Sequence, residues 1–440
     1  MIGETIAALS TPFGEGAIAV IRITGERACP VAAALTGQPI EQWPPRMMKR
    51  APLQVDGRVL DDLLVVRFAA PASYTGEDLV ELHLHGGVLL AQTALQAALS
   101  AGATPAEPGE FTQRAFLNGK MDLTQAEAVM DLIQARGAAA LQAAHDQLEG
   151  GLGHRITELR DQLLEALAHI EAFIDFPEED IDPETGEHLQ KRLGMVLTGC
   201  QALAATSDEG RILREGARIV ISGKPNVGKS SLLNRLLGQD RAIVAEIPGT
   251  TRDSIEESVS FHGIPVRFID TAGLRETFDP VEKAGVDRSL AHVERADIIL
   301  QMESAEEPPA PTIDDPRVIR VMNKADLAAA PSWGGLEALP ISCRTGDGLE
   351  ELRQAIHDRV VGNHRFLERP TAAVNARHRD CLQKTIASLE QGIVSLKDGL
   401  SPEFISIELR EALDYLGEIV GKIDTEQLLD RIFANFCIGK

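Results

Sequence analysis

The chain has 440 residues, 44% of them hydrophobic, 25% charged and 4% aromatic, with a formal net charge of −23. At roughly 150 residues per domain this length predicts about three globular domains, their cores built from aliphatic side chains. The acidic balance excludes a broadly basic nucleic-acid surface and leaves room only for local basic patches or RNA contacts shared with a partner. Five scattered cysteines (Cys29, Cys200, Cys343, Cys381, Cys437) contain no C-x-x-C pair and fit a reducing compartment better than a disulfide framework. Met1-Ile2-Gly3-Glu4 lacks the basic-then-apolar pattern of a signal peptide, and no apolar run approaches the ~20 residues of a membrane span. The expected location is cytoplasmic.

Residues 1–118 read as mixed α/β. Ala17–Ile23, Leu63–Phe68 and Leu79–Leu84 have strand character, and Thr24-Gly25 and His85-Gly86-Gly87 punctuate two of them. His83 and His85 share one strand face, which suggests a metal, but no third ligand is evident nearby and a polar strand end is the simpler reading. Thr124-Gln125-Ala126-Glu127 has the form of a capping box opening a helical region. After Gly150-Gly151, Leu152, Ile156, Leu159, Leu163, Leu167 and Ile170 step by three or four, as on one helix face. This seam stops near Phe176-Pro177, and Leu193, Val196 and Leu197 mark a further helix running toward residue 210.

From about 216 to 369 short strands alternate with helices, as in an α/β fold. Ile219–Ser222 runs into Gly223-Lys224-Pro225-Asn226-Val227-Gly228-Lys229-Ser230, the G-x-x-x-x-G-K-S phosphate loop, with a helix from Ser231 onward. That chemistry needs backbone N–H groups curled around phosphate oxygens at a helix N-terminus, a lysine for the β/γ-phosphates and a hydroxyl for Mg²⁺. Gly249-Thr250-Thr251-Arg252-Asp253 is spaced as a switch loop in which Thr251 completes the Mg²⁺ shell. Asp270-Thr271-Ala272-Gly273 ends a strand over 266–269, where Asp270 reaches the metal through water and Gly273 reaches the γ-phosphate. Asn323-Lys324-Ala325-Asp326 follows the strand 318–322. Its aspartate can accept both N1–H and N2–H of guanine, a donor pair that adenine lacks. Ser342-Cys343-Arg344 sits where a backbone N–H reads guanine O6. In Ras-like GTPases a glutamine after D-x-x-G orients the attacking water. Here that position is Leu274, so either another residue positions the water or turnover is slow, and spacing does not choose between Glu276 and Glu282. The Asn226 carbonyl oxygen could help hold a monovalent cation beside the phosphates, although a loop-stabilising role is the plainer reading of that residue alone.

Helical spacing returns after residue 370, in Leu382, Ile386, Leu389, Ile393 and Leu396, then Leu409, Leu413, Leu416 and Val420. A last amphipathic helix carries Leu428, Leu429, Ile432, Phe433 and Phe436 before Cys437-Ile438-Gly439-Lys440. The expected organisation is an N-terminal domain (1–118) and a helical domain in two parts (119–215 and 370–440), with a nucleotide-binding domain (216–369) inserted between those parts. Such an insertion can turn switch-loop movement into movement of the helices.

With these pieces in place, the chain resembles the MnmE (TrmE) family of tRNA-modification GTPases along essentially its whole length. Beyond the nucleotide motifs, the resemblance rests on Gly76-Glu77-Asp78, His85-Gly86-Gly87, Pro108–Thr112, Arg114–Lys120, Asp122–Ala128 and Phe436–Lys440. It implies an α/β tetrahydrofolate-binding-like N-terminal domain, a discontinuous all-α domain and an inserted Ras-like P-loop G domain. It also implies a homodimer that joins the FAD-carrying flavoprotein MnmG in a heterotetramer or larger complex. That complex adds a carboxymethylaminomethyl or aminomethyl group to C5 of wobble uridine (position 34) in certain tRNAs. Arg22, Glu81, Lys120 and Lys440 would contact the reduced folate, a 5-formyl- or 5,10-methylene-tetrahydrofolate. Glu282 would activate water, and K⁺ would bind Asn226, Ala245, Ile247 and Thr250, stimulating hydrolysis as the G domains dimerise. The nucleotide site so implied runs through Asn226–Ser231, Ala245-Glu246-Ile247-Pro248-Gly249-Thr250-Thr251, Asp270–Gly273, Asn323–Asp326 and Ser342–Arg344. Cys437 reads equally as a nucleophile near the folate or as a thiol packed on the C-terminal helix.

Two other classes fit parts of the chain: a ribosome-assembly or RNA-binding GTPase switch, and a folate-dependent methyltransferase with a regulatory G domain. The first leaves the folate-like N-terminus and the C-terminal tetrapeptide without a role.

Overall fold

The computed structural model describes residues 3–175, 186–239, 257–269, 294–311, 313–327, 333, 336–362, 374–422, 426–434 and 436–440. The chain groups into two compact units, Met1–Met130 with Gly417–Lys440, and Asp131–Leu416.

The first unit is built on a six-stranded sheet ordered β3-β4-β5-β2-β1-β6. Its strands are β1 (Ile6–Leu9), β2 (Ile18–Thr24), β3 (Lys49–Val55), β4 (Arg58–Phe68), β5 (Leu79–His85) and β6 (Thr104–Pro105). All pairings are antiparallel except β1 with β6. Alternation along the strands separates two faces. Ile21, Ile23, Val80, Leu82 and Leu84 share a buried cluster with Val31 and Leu35 of helix α1 (Ala28–Thr36) and with the alanines of α2 (Val88–Ser100). On the opposite face Ile6 and Ala8 cluster with Phe111 of α3 (Glu110–Leu117) and with Tyr74. The long β3–β4 hairpin, of which only the second half shows in the apolar pattern, turns on Asp56 (φ 51°) and Gly57 (φ 75°). An Asp-Gly pair is the residue choice that such a tight hairpin demands.

The helix α4 (Leu123–Gln134) is capped by a different box from the expected one. The Gln125 N–H donates to Asp122 Oδ1 at 2.9 Å, and the Asp122 N–H donates to Gln125 Oε1 at 2.9 Å. The box is therefore Asp122/Gln125 rather than Thr124/Glu127, because Leu123 is already inside. Leu123 shares a cluster with Ala126 and with Leu429, Phe433 and Phe436 of the C-terminal segment. Thr124 is fully buried and donates its hydroxyl to the same Asp122 carboxylate.

The second unit contains helices α5 (Ala138–Leu148), α6 (Gly151–Asp175), α7 (Gly186–Ala205) and α8 (Ser207–Glu215). On the α6 seam Leu152, Ile156, Leu163, Leu167 and Ile170 are buried, while Leu159 packs over Gly199 of α7. A second sheet follows, ordered β12-β11-β10-β7-β9-β8. Its strands are β7 (Ala217–Ser222), β8 (Glu257–Phe261), β9 (Ile264–Phe268), β10 (Ile298–Ser304), β11 (Val318–Asn323) and β12 (Leu339–Pro340), with helix α9 (Lys229–Gln239) after β7 and α10 (Leu349–Gly362) after β12. Every pairing is parallel except β8 with β9. This is the open α/β arrangement that places ligands beyond the carboxyl ends of its strands.

The unit closes with α11 (Ala376–Lys397), capped by Asn375, and with α12 (Pro402–Val420) as far as Leu416. The α11 seam differs from the expected one. Cys381, Leu382, Thr385, Ser388, Leu389, Gly392 and Ser395 are buried, whereas Ile386, Ile393 and Leu396 are only half-buried. Small side chains bring the helices close, with Leu409 of α12 lying over Gly392.

Candidate functional site

Beyond the carboxyl end of β7, Gly223–Gly228 form a loop and Lys229 begins α9. Gly228 has φ 101°, and a Cβ there would collide with the Asn323 amide nitrogen, so both backbone angle and space demand glycine. Asn226 takes the left-handed conformation at φ 67°, which asparagine tolerates better than most residues. The Lys229 Nζ donates to the carbonyls of Gly223 at 2.9 Å and Lys224 at 2.8 Å, which holds the ammonium across the loop. Partial burial pushes its pKa below the usual lysine range. Ser230 lies in the first turn of α9 with its hydroxyl on the same helix end. Gly-bounded amides, a lysine across the loop and a serine one residue on fit a Mg²⁺-bound polyphosphate.

The base-reading side is joined to this loop by one buried residue. Asn323, at the end of β11, donates Nδ2–H to the Val227 carbonyl at 2.8 Å and accepts the Cys343 N–H on Oδ1 at 3.1 Å. It is 3% exposed. A single side chain thus ties N-K-x-D to both the phosphate loop and the loop after β12. Lys324 (φ 62°) turns the chain, and the Ala325 N–H bonds to the Ile341 carbonyl at 3.0 Å. Asp326 is then gripped from both sides, Oδ1 accepting the Ser342 hydroxyl at 2.7 Å and Oδ2 pairing with Arg344 at 2.5 Å. The Ser342 hydrogen bond foremost, with Arg344 adding to it, holds this carboxyl below the usual carboxylate range. An ionised, fixed carboxylate retains lone pairs for the two N–H groups of guanine.

Sequence reasoning missed Arg235. From α9 it donates to the Cys343 carbonyl at 3.0 Å and the Arg344 carbonyl at 2.7 Å, pinning the loop after β12. No local motif announces it, since its partners lie more than a hundred residues away. The structure therefore brings together Asn226, Val227, Gly228, Lys229, Ser230, Ser231, Asn323, Lys324, Ala325, Asp326, Ser342, Cys343 and Arg344 at one end of the sheet. Ala245, Glu246, Ile247, Pro248, Gly249, Thr250, Thr251, Asp270, Thr271, Ala272, Gly273, Leu274, Glu276 and Glu282 lie outside the described residues.

In the first unit, the register that pairs Arg22 with Glu81 across β2 and β5 sets up a second cluster. Arg22 donates Nε–H and NH2 protons to Glu81 Oε1 at 3.0 and 2.8 Å, and NH1 reaches the Gly439 carbonyl at 3.4 Å. Its guanidinium carbon stands 5.5 Å from the Tyr74 ring centre and 5.7 Å from that of Phe111, within cation–π range. The C-terminal strap is seated beside it. The Ser10 hydroxyl donates to the Gly439 carbonyl at 3.1 Å, and a Cβ on Gly439 (φ 92°) would strike Leu9. Lys440 is half-buried, and desolvation first, then the charge of Arg22, lowers its pKa. Arg22, Glu81 and Lys440 are thus one cluster, while the Lys120 Nζ bonds to the Pro71 carbonyl at 3.0 Å. Two cations, a carboxylate and flanking rings fit a ligand with a flat heterocycle and carboxylates. Tyr74, one of only two tyrosines in the chain, was the overlooked signal.

His83 and His85 each lean on a carboxylate instead of sharing a ligand. The His85 Nδ1 is 2.6 Å from Asp61 Oδ1, and the His83 Nε2 is 3.3 Å from Glu81 Oε2. Among the described residues no group of three or more His, Cys, Asp and Glu side chains is placed to hold a metal, and no helix is long and apolar enough to cross a membrane.

Comparison with known proteins places the chain in one family. Residues 5–120 match the model of the GTP-binding protein TrmE N-terminus, and residues 123–437 match that of the MnmE helical domain. The tRNA modification GTPase MnmE of Akkermansia muciniphila is 47% identical over 448 residues, covering 99% of both chains. Its namesakes in Heliobacterium modesticaldum (42% identical, all of both chains) and Aquifex aeolicus (44% identical, 99% of this chain and all of the relative) align equally fully. With an N-terminal domain, a helical domain and a G domain in the family's order, the chain belongs to the MnmE (TrmE) family of tRNA modification GTPases.

Proposed function

We propose that this protein is the GTP-hydrolysing component of the machinery that adds an aminomethyl or carboxymethylaminomethyl group to C5 of wobble uridine in certain tRNAs. The observation that carries the GTPase part is Asn323, which links the phosphate loop to a base-reading loop whose Asp326 is fixed by Ser342 and Arg344. Asp326 selects guanine, Lys229 and the loop amides receive the β/γ-phosphates, and Ser230 with Thr251 ligates Mg²⁺. Bound Mg²⁺ and K⁺ supply positive charge to the phosphates. Asn226 is the K⁺ ligand we assign among the described residues, with Ala245, Ile247 and Thr250 completing the set. Leu274 has no hydrogen-bonding side chain, so another residue positions the attacking water, and the family resemblance assigns that role to Glu282.

On this reading Arg22, Glu81, Lys120 and Lys440 hold a reduced folate, which supplies the one-carbon unit when bound. The protein works as a homodimer with the flavoprotein MnmG, whose FAD completes the redox chemistry, in the cytoplasm and on tRNA. A G domain over 216–369 inserted between helical segments 119–215 and 370–440 converts hydrolysis into movement.

Mass spectrometry of tRNA nucleosides from cells with and without the gene tests the proposal. C5-aminomethyl-type uridines should disappear without it and return with the intact gene but not with Glu282→Ala. An unchanged nucleoside profile would move the function to a ribosome-assembly GTPase, which shares the nucleotide site. Hydrolysis in K⁺ against Na⁺ at equal ionic strength tests the cation ligands separately, and equal rates would remove Asn226 from that role.

A further inference from the structure

His83 lies on the same face of β5 as Glu81, opposite Val20 of β2 and Leu64 of β4, neither of which can hydrogen-bond through its side chain. Its ring is partly buried, at 22% side-chain exposure against 17% for Glu81 and 15% for Arg22. The two oxygens of Glu81 have separate duties. Oε1 takes both Arg22 protons, and Oε2 faces the His83 Nε2 at 3.3 Å. The terminal torsion of a glutamate is broad and nearly two-fold, so one oxygen held by arginine does not fix the carboxylate plane. A second donor on the other oxygen does. His85, the next residue on this face, is committed to Asp61 and does not substitute.

We propose that His83 is a positioning residue for the folate site: it orients the Glu81 carboxylate, which in turn aims Arg22 between Tyr74 and Phe111 and toward the Gly439 carbonyl. The inference rests on the reading of Arg22 as a folate contact. It gives Glu81 a second duty beside its contact with the ligand, that of aiming Arg22, since an ionised carboxylate keeps free lone pairs after taking these three contacts. The hydrogen bond needs a proton on Nε2, so the donor is either the Nε2–H tautomer or the imidazolium. A glutamine, which also carries a donor at the end of a side chain of similar reach, can replace it. A leucine cannot.

The test is binding of 5-formyltetrahydrofolate to the full-length protein by calorimetry, for His83→Leu, His83→Gln, Arg22→Ala and the double variant His83→Leu/Arg22→Ala, each first shown folded by its thermal melt. We expect His83→Leu to weaken binding about tenfold, the size of one charge-assisted hydrogen bond, and His83→Gln to stay within about threefold of the parent. In the Arg22→Ala background His83→Leu should add nothing, because its effect passes through that side chain. A general structural role would give additive losses and no rescue by glutamine. Parent-like binding by His83→Leu, with Arg22→Ala impaired, would overturn the positioning role and leave the folate site standing. Parent-like binding by Arg22→Ala would overturn both. Should His83→Leu fail to fold, His83→Ala takes its place in the cycle and is read the same way.

Discussion

The two six-stranded sheets carry their chemistry in different places. In the parallel sheet the chemical groups stand on loops beyond the strand ends, after β7, β11 and β12. In the antiparallel sheet they stand on a face, with Arg22 and Glu81 side by side in mid-strand. The cause is connectivity. Parallel strands need helical crossovers that cover both faces of their sheet, so it opens only at its ends, whereas antiparallel strands joined by hairpins can keep a face on which polar side chains gather. A loop site is made of consecutive residues and a face site of residues that only the pairing register brings together.

The first consequence concerns the loop site. Asp326→Asn removes the carboxylate proposed to accept two guanine protons and breaks the grip of Arg344. GTP affinity should fall roughly a hundredfold or more, as expected when a site built for hydrogen bonds loses its match. Xanthosine triphosphate, with a carbonyl in place of the amino group, should lose much less. Titration with a fluorescent analogue of each nucleotide decides it. A uniform loss for both would mean that Asp326 holds the loop without reading the base.

This contrast also governs what could be read from the sequence. G-x-x-x-x-G-K-S, N-K-x-D and Ser342-Cys343-Arg344 are contiguous, and the structure assembles them around Asn323. Arg22 and Glu81 are 59 residues apart, and no pattern within either strand announces the pair. The family resemblance, not residue spacing, supplied them. Lys120 came from the same source, and its amine is bonded to Pro71. The helix seams were legible where large aliphatics do the packing, as on α6. They were misread on α11, where Gly392, Ser388 and Ser395 are buried because close approach favours small side chains. The cap of α4 was misplaced by two residues for a related reason. Asp122 competes with Thr124 for the same role, and the burial of Leu123 decides between them.

Asn323→Ala sharpens the comparison from within the loop site. It leaves the Val227 carbonyl and the Cys343 N–H without their partner, at about 1–3 kcal/mol of stability for buried groups left unsatisfied. Because one side chain joins two loops, nucleotide affinity should also drop by about tenfold or more. Denaturant titration and nucleotide binding measured together should both shift. Loss of binding at unchanged stability would mean that the bridge forms only with nucleotide bound.

A smaller effect is expected on the face site from Arg22→Lys. The charge survives, but the planar fork that meets Glu81 through two donors does not. Affinity for 5-formyltetrahydrofolate should fall about fivefold to tenfold, while GTP affinity measured on the same preparation stays put. Full retention of folate affinity would show that charge alone matters and that the strand register contributes little. A parallel fall in GTP affinity would show that the two sites are energetically coupled.

Two thiols report on the two kinds of site, and the difference between them is the subtlest effect. Cys343, in the base-reading loop, has its thiol pushed up to about 11 by burial, against a lowering by Arg235. At pH 8 only about a thousandth of it is thiolate, the form that reacts with iodoacetamide. Its labelling should be slow and should climb about tenfold per pH unit through pH 10. Cys437, exposed on the C-terminal strap beside Gly439, should label first. Buried Cys29, Cys200 and Cys381 should stay silent in the folded protein, Cys200 with its thiol pushed up to about 12 by burial alone. GTP should slow the labelling of Cys343 and leave Cys437 alone, whereas 5-formyltetrahydrofolate should do the reverse. Each ligand protects only the thiol of its own site if loop and face are independent. Cross-protection, read by mass spectrometry of the labelled peptides, would show that occupancy of one site is felt at the other, the coupling that a hydrolysis-driven modification enzyme requires.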